Sequence, residues 1–325
     1  MMMMKKISIV TPCYNEEANV EILYNEVKKQ FAALPQYKYE HIFIDNASTD
    51  TTVSILKRLA AEDKNVKIIV NARNFGHIRS PFYGMRQAFG DAVILMVADL
   101  QDPPELIAEL LKKWEEGFKI VTAVKNKSKE NPIMFFLRKT YYNMLAKFSE
   151  TEQVKNFTGF GLYDKSFIDV IRSIDDPYPY FRGLIAEIGF ERTEITYIQP
   201  KRLHGKTKLN FYILYDIGML GFVNHSKLPL RLSIFIGFIV AFLSLLVAAG
   251  YLIYKLCYWD TFTAGTAPLV IGLFFFSSIQ LIFIGVIGEY IGAIHTQVRK
   301  RPLVVEKERI NFDNEEAAEP EKDAL

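Results

Sequence analysis

Asp99-Leu100-Gln101-Asp102-Pro103-Pro104 follows directly on an apolar run, Ala92 to Ala98. A short buried-type strand ending in carboxylate and amide groups puts oxygen ligands at the edge of a sheet, where α/β folds bind nucleotides and metals. Asp99 and Gln101 stand two apart, so on an extended segment both side chains point to the same side. Together they offer hard oxygen ligands to Mg²⁺ or Mn²⁺ bridging a diphosphate. Such a cation would neutralise a departing nucleoside diphosphate. Asp102 has two readings, a member of this oxygen cluster or the N-terminal cap of a helix starting at Pro103-Pro104. Asp99 sits too early to be that cap.

Three more polar segments follow apolar runs: Thr11 to Glu17, Asp45 to Asp50 and Asn71 to Gly76. Any one of them alone is simply a turn. Four such segments, each at a strand C-terminus, converge on one sheet edge. Their chemistry suits a nucleotide. Tyr14 can stack near a base, and the Asp45 carboxylate can accept the imide N–H of a uracil. Pro12, Tyr14, Glu16, Asp45, Asn74 and Asp99 form the expected donor-binding set. His77 and Arg79 follow the third segment and either touch the donor or simply begin a helix.

The elements that must position these groups alternate. Strands are expected at Ile7–Thr11, Tyr39–Ile44, Val66–Val70, Ala92–Ala98 and Lys119–Val124. Helices are expected at Glu16–Leu34, Thr51–Ala61, Ile78–Phe89 and Pro104–Glu116, the second capped by the Ser48/Asp50 cluster. Such alternation predicts a mostly parallel sheet covered on both faces. The net charge of +2 on 325 residues is too small to imply a nucleic-acid partner. Cys13 and Cys257 lie in unlike contexts, so no disulfide is expected, consistent with a reducing compartment. No apolar stretch of signal-peptide length follows Lys5 and Lys6, so no export of the domain is expected.

The apolar excess lies after Lys227. Leu232–Tyr254 and Thr261–Gly288 carry few or no charges over roughly 23 and 28 residues, each enough to span a bilayer. Asn210–Asn224 reads as an amphipathic helix at the membrane surface, and Phe135–Phe148 either as another or as an ordinary surface helix. Arg231 precedes the first apolar stretch, and Arg299, Lys300 and Arg301 follow the second. The positive-inside rule puts both termini and the large domain in the cytoplasm. The expected division is a catalytic domain over 1–208, a juxtamembrane region over 209–230, transmembrane helices over 231–257 and 261–294, and a partly disordered tail over 295–325. Gly237, Gly250, Gly272, Gly285, Gly288 and Gly292 would let helices approach closely, which permits a homo-oligomer.

Pro12-Cys13-Tyr14-Asn15-Glu16, the Asp45–Asp50 segment and Ala98-Asp99-Leu100-Gln101-Asp102-Pro103-Pro104-Glu105 strongly resemble family 2 glycosyltransferases. The likeness is to the branch of polyprenyl-phosphate glycosyltransferases and dolichol-phosphate mannose synthases. Thr158-Gly159-Phe160-Gly161-Leu162-Tyr163-Asp164, Arg202-Leu203-His204-Gly205-Lys206-Thr207-Lys208 and the two apolar stretches agree. The resemblance implies a GT-A fold, a nucleotide-sugar donor with UDP favoured and GDP open, a divalent metal, a polyprenyl phosphate acceptor and inversion at the anomeric carbon. Two positions depart from the family pattern. Val97 stands where an acid usually precedes Asp99 by two, and Asn46 where a second Asp is common. The metal ligands carried over are therefore Asp99 and Gln101.

A polyprenyl phosphate is already an anion near neutral pH, so its attack needs positioning and counter-charge more than a base. The resemblance implies that Arg138, Arg202, Lys206 and Lys208 are the candidates to supply that charge. It also brings Asp164 near the sugar, where it would act as a base or orient a hydroxyl or a cation; a plain turn Asp is the competing reading. The reading from another class is a membrane-anchored nucleotide-binding or scaffold protein that has lost catalysis.

Overall fold

The structure is a computed structural model describing residues 4–125, 157–200, 202–203, 228–258 and 266–312. Its centre is an eight-stranded sheet in the order β7-β5-β6-β4-β1-β2-β3-β8. Strands β1 (Lys5–Cys13), β2 (Tyr37–Asp45), β3 (Val66–Asn71) and β4 (Ala92–Leu95) are mutually parallel, with β1 between β2 and β4. β5 (Ile120–Lys125) and β7 (Arg192–Tyr197) pair in parallel, and β6 (Phe157–Asp164) runs antiparallel between β4 and β5. This is a GT-A-like α/β arrangement, mostly parallel as the alternation predicts.

The helices lie where periodicity puts them. In α1 (Val20–Ala32) the buried side chains are Val20, Leu23, Tyr24, Val27 and Phe31, the i, i+3, i+4 stripe of a helix laid on a sheet. The same rule gives α2 (Thr52–Glu62) and α4 (Ile107–Glu115), the latter after a 3₁₀ turn at Pro104–Leu106. α3 (Gly76–Arg86) lies close on β1 and β2 because Gly84 lacks a side chain: a Cβ there would stand 2.9 Å from Val10 Cγ1. Ile7, Ile9, Val10, Ile42, Phe43 and Ile44 are wholly buried. Strands covered on both faces read as near-continuous apolar runs, and each such side chain contributes about 1.5–3 kcal/mol. α5 (Lys165–Ser173) and α6 (Phe181–Ile188) follow β6.

Two helices close the described chain, α7 (Leu228–Cys257) and α8 (Thr266–Val298). Among the described residues one stretch is long and apolar enough to cross a membrane, Gly272–Val298, while Leu232–Ser244 in α7 is a shorter apolar helix. The expectation of two spans is met at this level by one. The amphipathic helices expected around 135–148 and 210–224 lie outside the described residues.

After α8 the chain returns to the sheet, which the sequence did not announce. β8 (Glu306–Ile310) pairs antiparallel with β3. Leu303 and Val304 are buried in the core under α3. The Asn311 amide donates to the carbonyls of Ala60 at 2.7 Å and Val66 at 2.8 Å, and Tyr83 donates to Glu306 at 2.9 Å. The strand therefore covers the β3 edge that would otherwise be open to pairing with another chain.

Candidate active site

Because β1 to β4 are parallel, their C-terminal ends share one edge, and the four polar segments meet there. Hydrogen bonds stitch them together. The Asn15 N–H donates to Ser48 Oγ at 2.8 Å, and the Thr49 N–H returns a bond to Asn15 Oδ1 at 2.8 Å. The Asn46 N–H donates to the Cys13 carbonyl at 2.9 Å. Asn15, Ala47 and Leu100, one in each of three loops, hold positive φ at 55°, 63° and 59°. For Ala and Leu this backbone costs of order 1–3 kcal/mol, a strain that persists where surrounding contacts over-determine it.

Asp45 is wholly buried. It accepts the Ser48 N–H at 2.9 Å and the Ser48 hydroxyl, so it builds the loop from beneath. Burial pushes its carboxyl up, against the pull of the Ser48 bonds. Pro12, Tyr14 and Glu16 are half-buried along the first loop, where the Glu16 carboxylate accepts from Asn19 at 2.6 Å. The exposed Asn74 uses its side-chain oxygen to accept from Asn46 at 2.9 Å and from the Gly76 N–H at 2.8 Å, setting the start of α3. Asn46 itself links three elements. Its amide nitrogen donates to Asn74 Oδ1 and the Gly76 carbonyl, while its oxygen accepts from the Phe75 N–H and from Asn71. A carboxylate could not make the two donations, which gives the departure at Asn46 a physical role.

Asp99 is nearly buried. Its Oδ1 accepts the Gln101 N–H at 3.1 Å, and its Oδ2 lies 2.7 Å from Arg202 Nη2. Asp102 caps no helix. One oxygen accepts the Val97 N–H at 3.1 Å and the other the Tyr197 hydroxyl at 3.2 Å, so it ties the loop after β4 to the end of β7. Burial lifts its carboxyl to about 7; Asp99 nearby pushes the same way and the Val97 N–H pulls against it. Among the described residues no cluster of three His, Cys, Asp or Glu could hold a metal. One carboxylate and one amide fit a cation carried in on a diphosphate, since Mg²⁺ is commonly held by one or two carboxylates plus substrate phosphates.

Asp164 is not brought to this edge. It pairs with Ala92, the first residue of β4, and so lies at the opposite end of the sheet from Asp99. There it caps α5, accepting from the Ser166 N–H at 2.9 Å, takes the Trp114 indole N–H at 2.7 Å, and pairs with Lys119 at 3.2 Å. Burial pushes its carboxyl up, but these bonds outweigh it and hold it below the usual range. The expected place beside the sugar is therefore corrected: antiparallel β6 carries its C-terminus away from the site. Arg138, Lys206 and Lys208 lie outside the described residues.

A cavity of about 170 Å³, lined in part by the loop that carries Asp99, lies between the end of β4, the start of β6 and the N-terminal turns of α3 and α6. Val97, Asp102, Thr158, Phe160, Phe181 and Arg182 are among its lining residues. Sequence reasoning missed it because α5 and α6 had not been recognised. The apolar spacing of Phe181, Leu184, Ile185 and Ile188 is the signal that would have found α6.

The model of the glycosyl transferase family 2 matches residues 8–170, which contain all four loops. The chain is 34% identical to an uncharacterized glycosyltransferase of Bacillus subtilis, YkcC, over 94% of this chain and 95% of that protein. It is 33% identical to the SfII prophage-derived bactoprenol glucosyl transferase of Shigella flexneri, over 93% of this chain and 97% of the relative. Among solved structures, the mannosyltransferase PcManGT from Pyrobaculum calidifontis in complex with GDP-Man and Mn²⁺ aligns with a TM-score of 0.43 at 18% identity, covering 62% of this chain and 59% of that one. The chain belongs to the family 2 glycosyltransferases, and its relatives over nearly its whole length include bactoprenol glucosyl transferases.

Proposed function

We propose that this protein transfers glucose from a nucleotide donor, UDP-glucose in the favoured case, to a polyprenyl phosphate of the bactoprenol type. The observation that carries the reading is the contact of Asp99 with Arg202. A carboxylate placed for a donor diphosphate meets a cation on the segment that leads into the apolar helices. The bactoprenol glucosyl transferase of Shigella flexneri, alike over 93% of this chain, supports both the sugar and the acceptor.

The chemistry asks little of a base. The acceptor phosphate is already charged, and its oxygen attacks the anomeric carbon as the nucleoside diphosphate leaves from the opposite face, inverting the centre. Pro12, Tyr14, Glu16, Asp45 and Asn74 shape the nucleotide side. A Mg²⁺ or Mn²⁺ ion held by Asp99 and Gln101 would supply charge to the leaving diphosphate. Arg202, with Arg138 and Lys208, holds the acceptor phosphate against the repulsion of the donor.

The pairing of β8 with β3 supports a membrane arrangement. Residues before α7 and after α8 lie in one sheet, so a chain that crosses the bilayer at α8 must cross it an even number of times. We infer that α7 and α8 cross as a hairpin, with the sheet on the cytoplasmic side marked by Arg231, Arg299, Lys300 and Arg301. The test is transfer: purified protein in lipid discs carrying polyprenyl phosphate, offered radiolabelled UDP-glucose, UDP-galactose, UDP-N-acetylglucosamine and GDP-mannose in turn. Solvent-extractable label from UDP-glucose supports the reading. Label from none of the donors, with nucleotide still bound, would instead favour a nucleotide-binding scaffold.

A further inference from the structure

The cavity lined in part by the Asp99 loop carries an inference that rests on the transferase reading and extends it. Its walls are mostly apolar, with Phe82, Met85, Leu95 and Phe181 among them. Asp102 lies on the same lining and is 3% exposed. A buried carboxylate is costly unless hydrogen bonds satisfy it. An ionised carboxylate has about four acceptor positions, and the described residues fill two, from the Val97 N–H and the Tyr197 hydroxyl.

This combination selects its occupant. A phosphate offers Asp102 only acceptor oxygens and no hydrogen-bond donor. An isoprene unit would leave the open acceptor positions of Asp102 unpaired in hydrocarbon. A neutral polyol satisfies both features, laying C–H faces on the apolar walls and giving hydroxyl protons to the carboxylate. At about 170 Å³ the space is well below the ~300–1,000 Å³ of pockets for drug-sized ligands, so it suits one small group. Its position also fits, because Val97 and Asp102 flank Asp99 in the loop after β4.

We propose that this cavity receives the sugar of the donor and that Asp102 orients that sugar by accepting hydrogen bonds from its hydroxyl groups. The role is one of recognition, and no proton is transferred.

The test compares UDP-glucose with UDP on full-length protein in lipid discs. Asp102→Asn keeps the shape and one acceptor oxygen. Ile78→Phe adds bulk to the cavity lining from α3 and leaves Asp102 intact. In Asp102→Asn the ratio of the UDP-glucose Kd to the UDP Kd should rise about tenfold, the scale of a lost hydrogen bond to a charged group; in Ile78→Phe it should rise in the same direction, and in both variants UDP affinity should be unchanged. Asp102→Asn should also change the relative kcat/KM for UDP-glucose and UDP-galactose. Equal loss for UDP and UDP-glucose in both variants would reduce Asp102 to a loop support and overturn the proposal. A rise confined to the KM for polyprenyl phosphate would assign the cavity to the acceptor and overturn it as well. Wild-type protein that bound neither UDP nor UDP-glucose would overturn the UDP-glucose reading itself, and the pocket assignment with it.

Discussion

Arg202 Nη2 stands 2.7 Å from Asp99 Oδ2, so the guanidinium holds one of the two carboxylate oxygens. The other oxygen is already engaged by the Gln101 N–H. A divalent cation and Arg202 therefore compete for one oxygen. The Arg202 side chain is 26% exposed and that of Asp99 8%, so the pair is mostly withdrawn from solvent. Arg202→Gln should tighten Mn²⁺ binding in the absence of donor by a few-fold, read by electron paramagnetic resonance titration, and should lower turnover. Weaker Mn²⁺ binding in the variant would contradict this competition.

Asn46→Asp would restore a residue common in the family. The hydrogen bonds predict harm. The substitution removes the donations to Asn74 and the Gly76 carbonyl and sets a carboxylate against two acceptor oxygens. A cost of about 1–3 kcal/mol and a raised donor KM are expected, checked by thermal unfolding and steady-state kinetics. Improved donor binding would refute the linking role given to Asn46.

Asp164→Ala separates structure from catalysis. The loss of the α5 cap and of the Trp114 bond should lower stability by about 1–3 kcal/mol. At a temperature where the variant is folded, kcat and both KM values should match wild type. A selective fall in kcat would return Asp164 to the site.

The β8 pairing makes a topological prediction. In a background with Cys13 and Cys257 replaced by Ser, Lys307→Cys on β8 should react with an impermeant maleimide only when the cytoplasmic face is open to it. Asp260→Cys, between α7 and α8, should react only from the other side. Labelling of both from one side would exclude the hairpin.

His41 sets a pH dependence. It is wholly buried, with Nε2 2.9 Å from Thr11 Oγ1, and burial lowers its pKa from 6.5 to about 3. Between these values the unfolded chain binds a proton that the folded chain does not. Stability therefore falls as pH drops below 6.5, by up to about 1.4 kcal/mol per pH unit. Asp102, raised from 3.8 to about 7, acts with the opposite sign over an overlapping window. His41→Gln removes only the first effect, so the variant should lose less stability than wild type between pH 7 and 5. An equal loss in chemical denaturation would show that His41 does not titrate in this way.

Much of this was legible in the sequence. The apolar runs of β1 to β4 are strong because those strands are buried on both faces, and parallel pairing then brings the four loops to one edge. Asp99 and Asp45 were found because four polar segments follow such runs, a coincidence that separate turns do not explain. Asp164 was expected beside the sugar only because the resemblance implied it, and sequence alone does not reveal that β6 runs antiparallel. Asn46 looked like a loss because its value lies in donors that pair across two other loops. β8 was invisible because five polar-rich residues after a long apolar helix carry little strand signal, and their partner β3 lies more than two hundred positions earlier.

The central claim is that a sugar passes from a nucleotide to a lipid phosphate at Asp99. The most direct test is to follow UDP release and lipid-linked glucose together in a single turnover, for wild type and Asp99→Asn. Wild type should yield one UDP for each lipid-linked glucose, and the variant, folded and membrane-bound, should be slower by at least about a hundredfold, the scale of a lost charge-stabilising group. UDP released without a lipid product, or near-normal transfer by Asp99→Asn, would contradict the account.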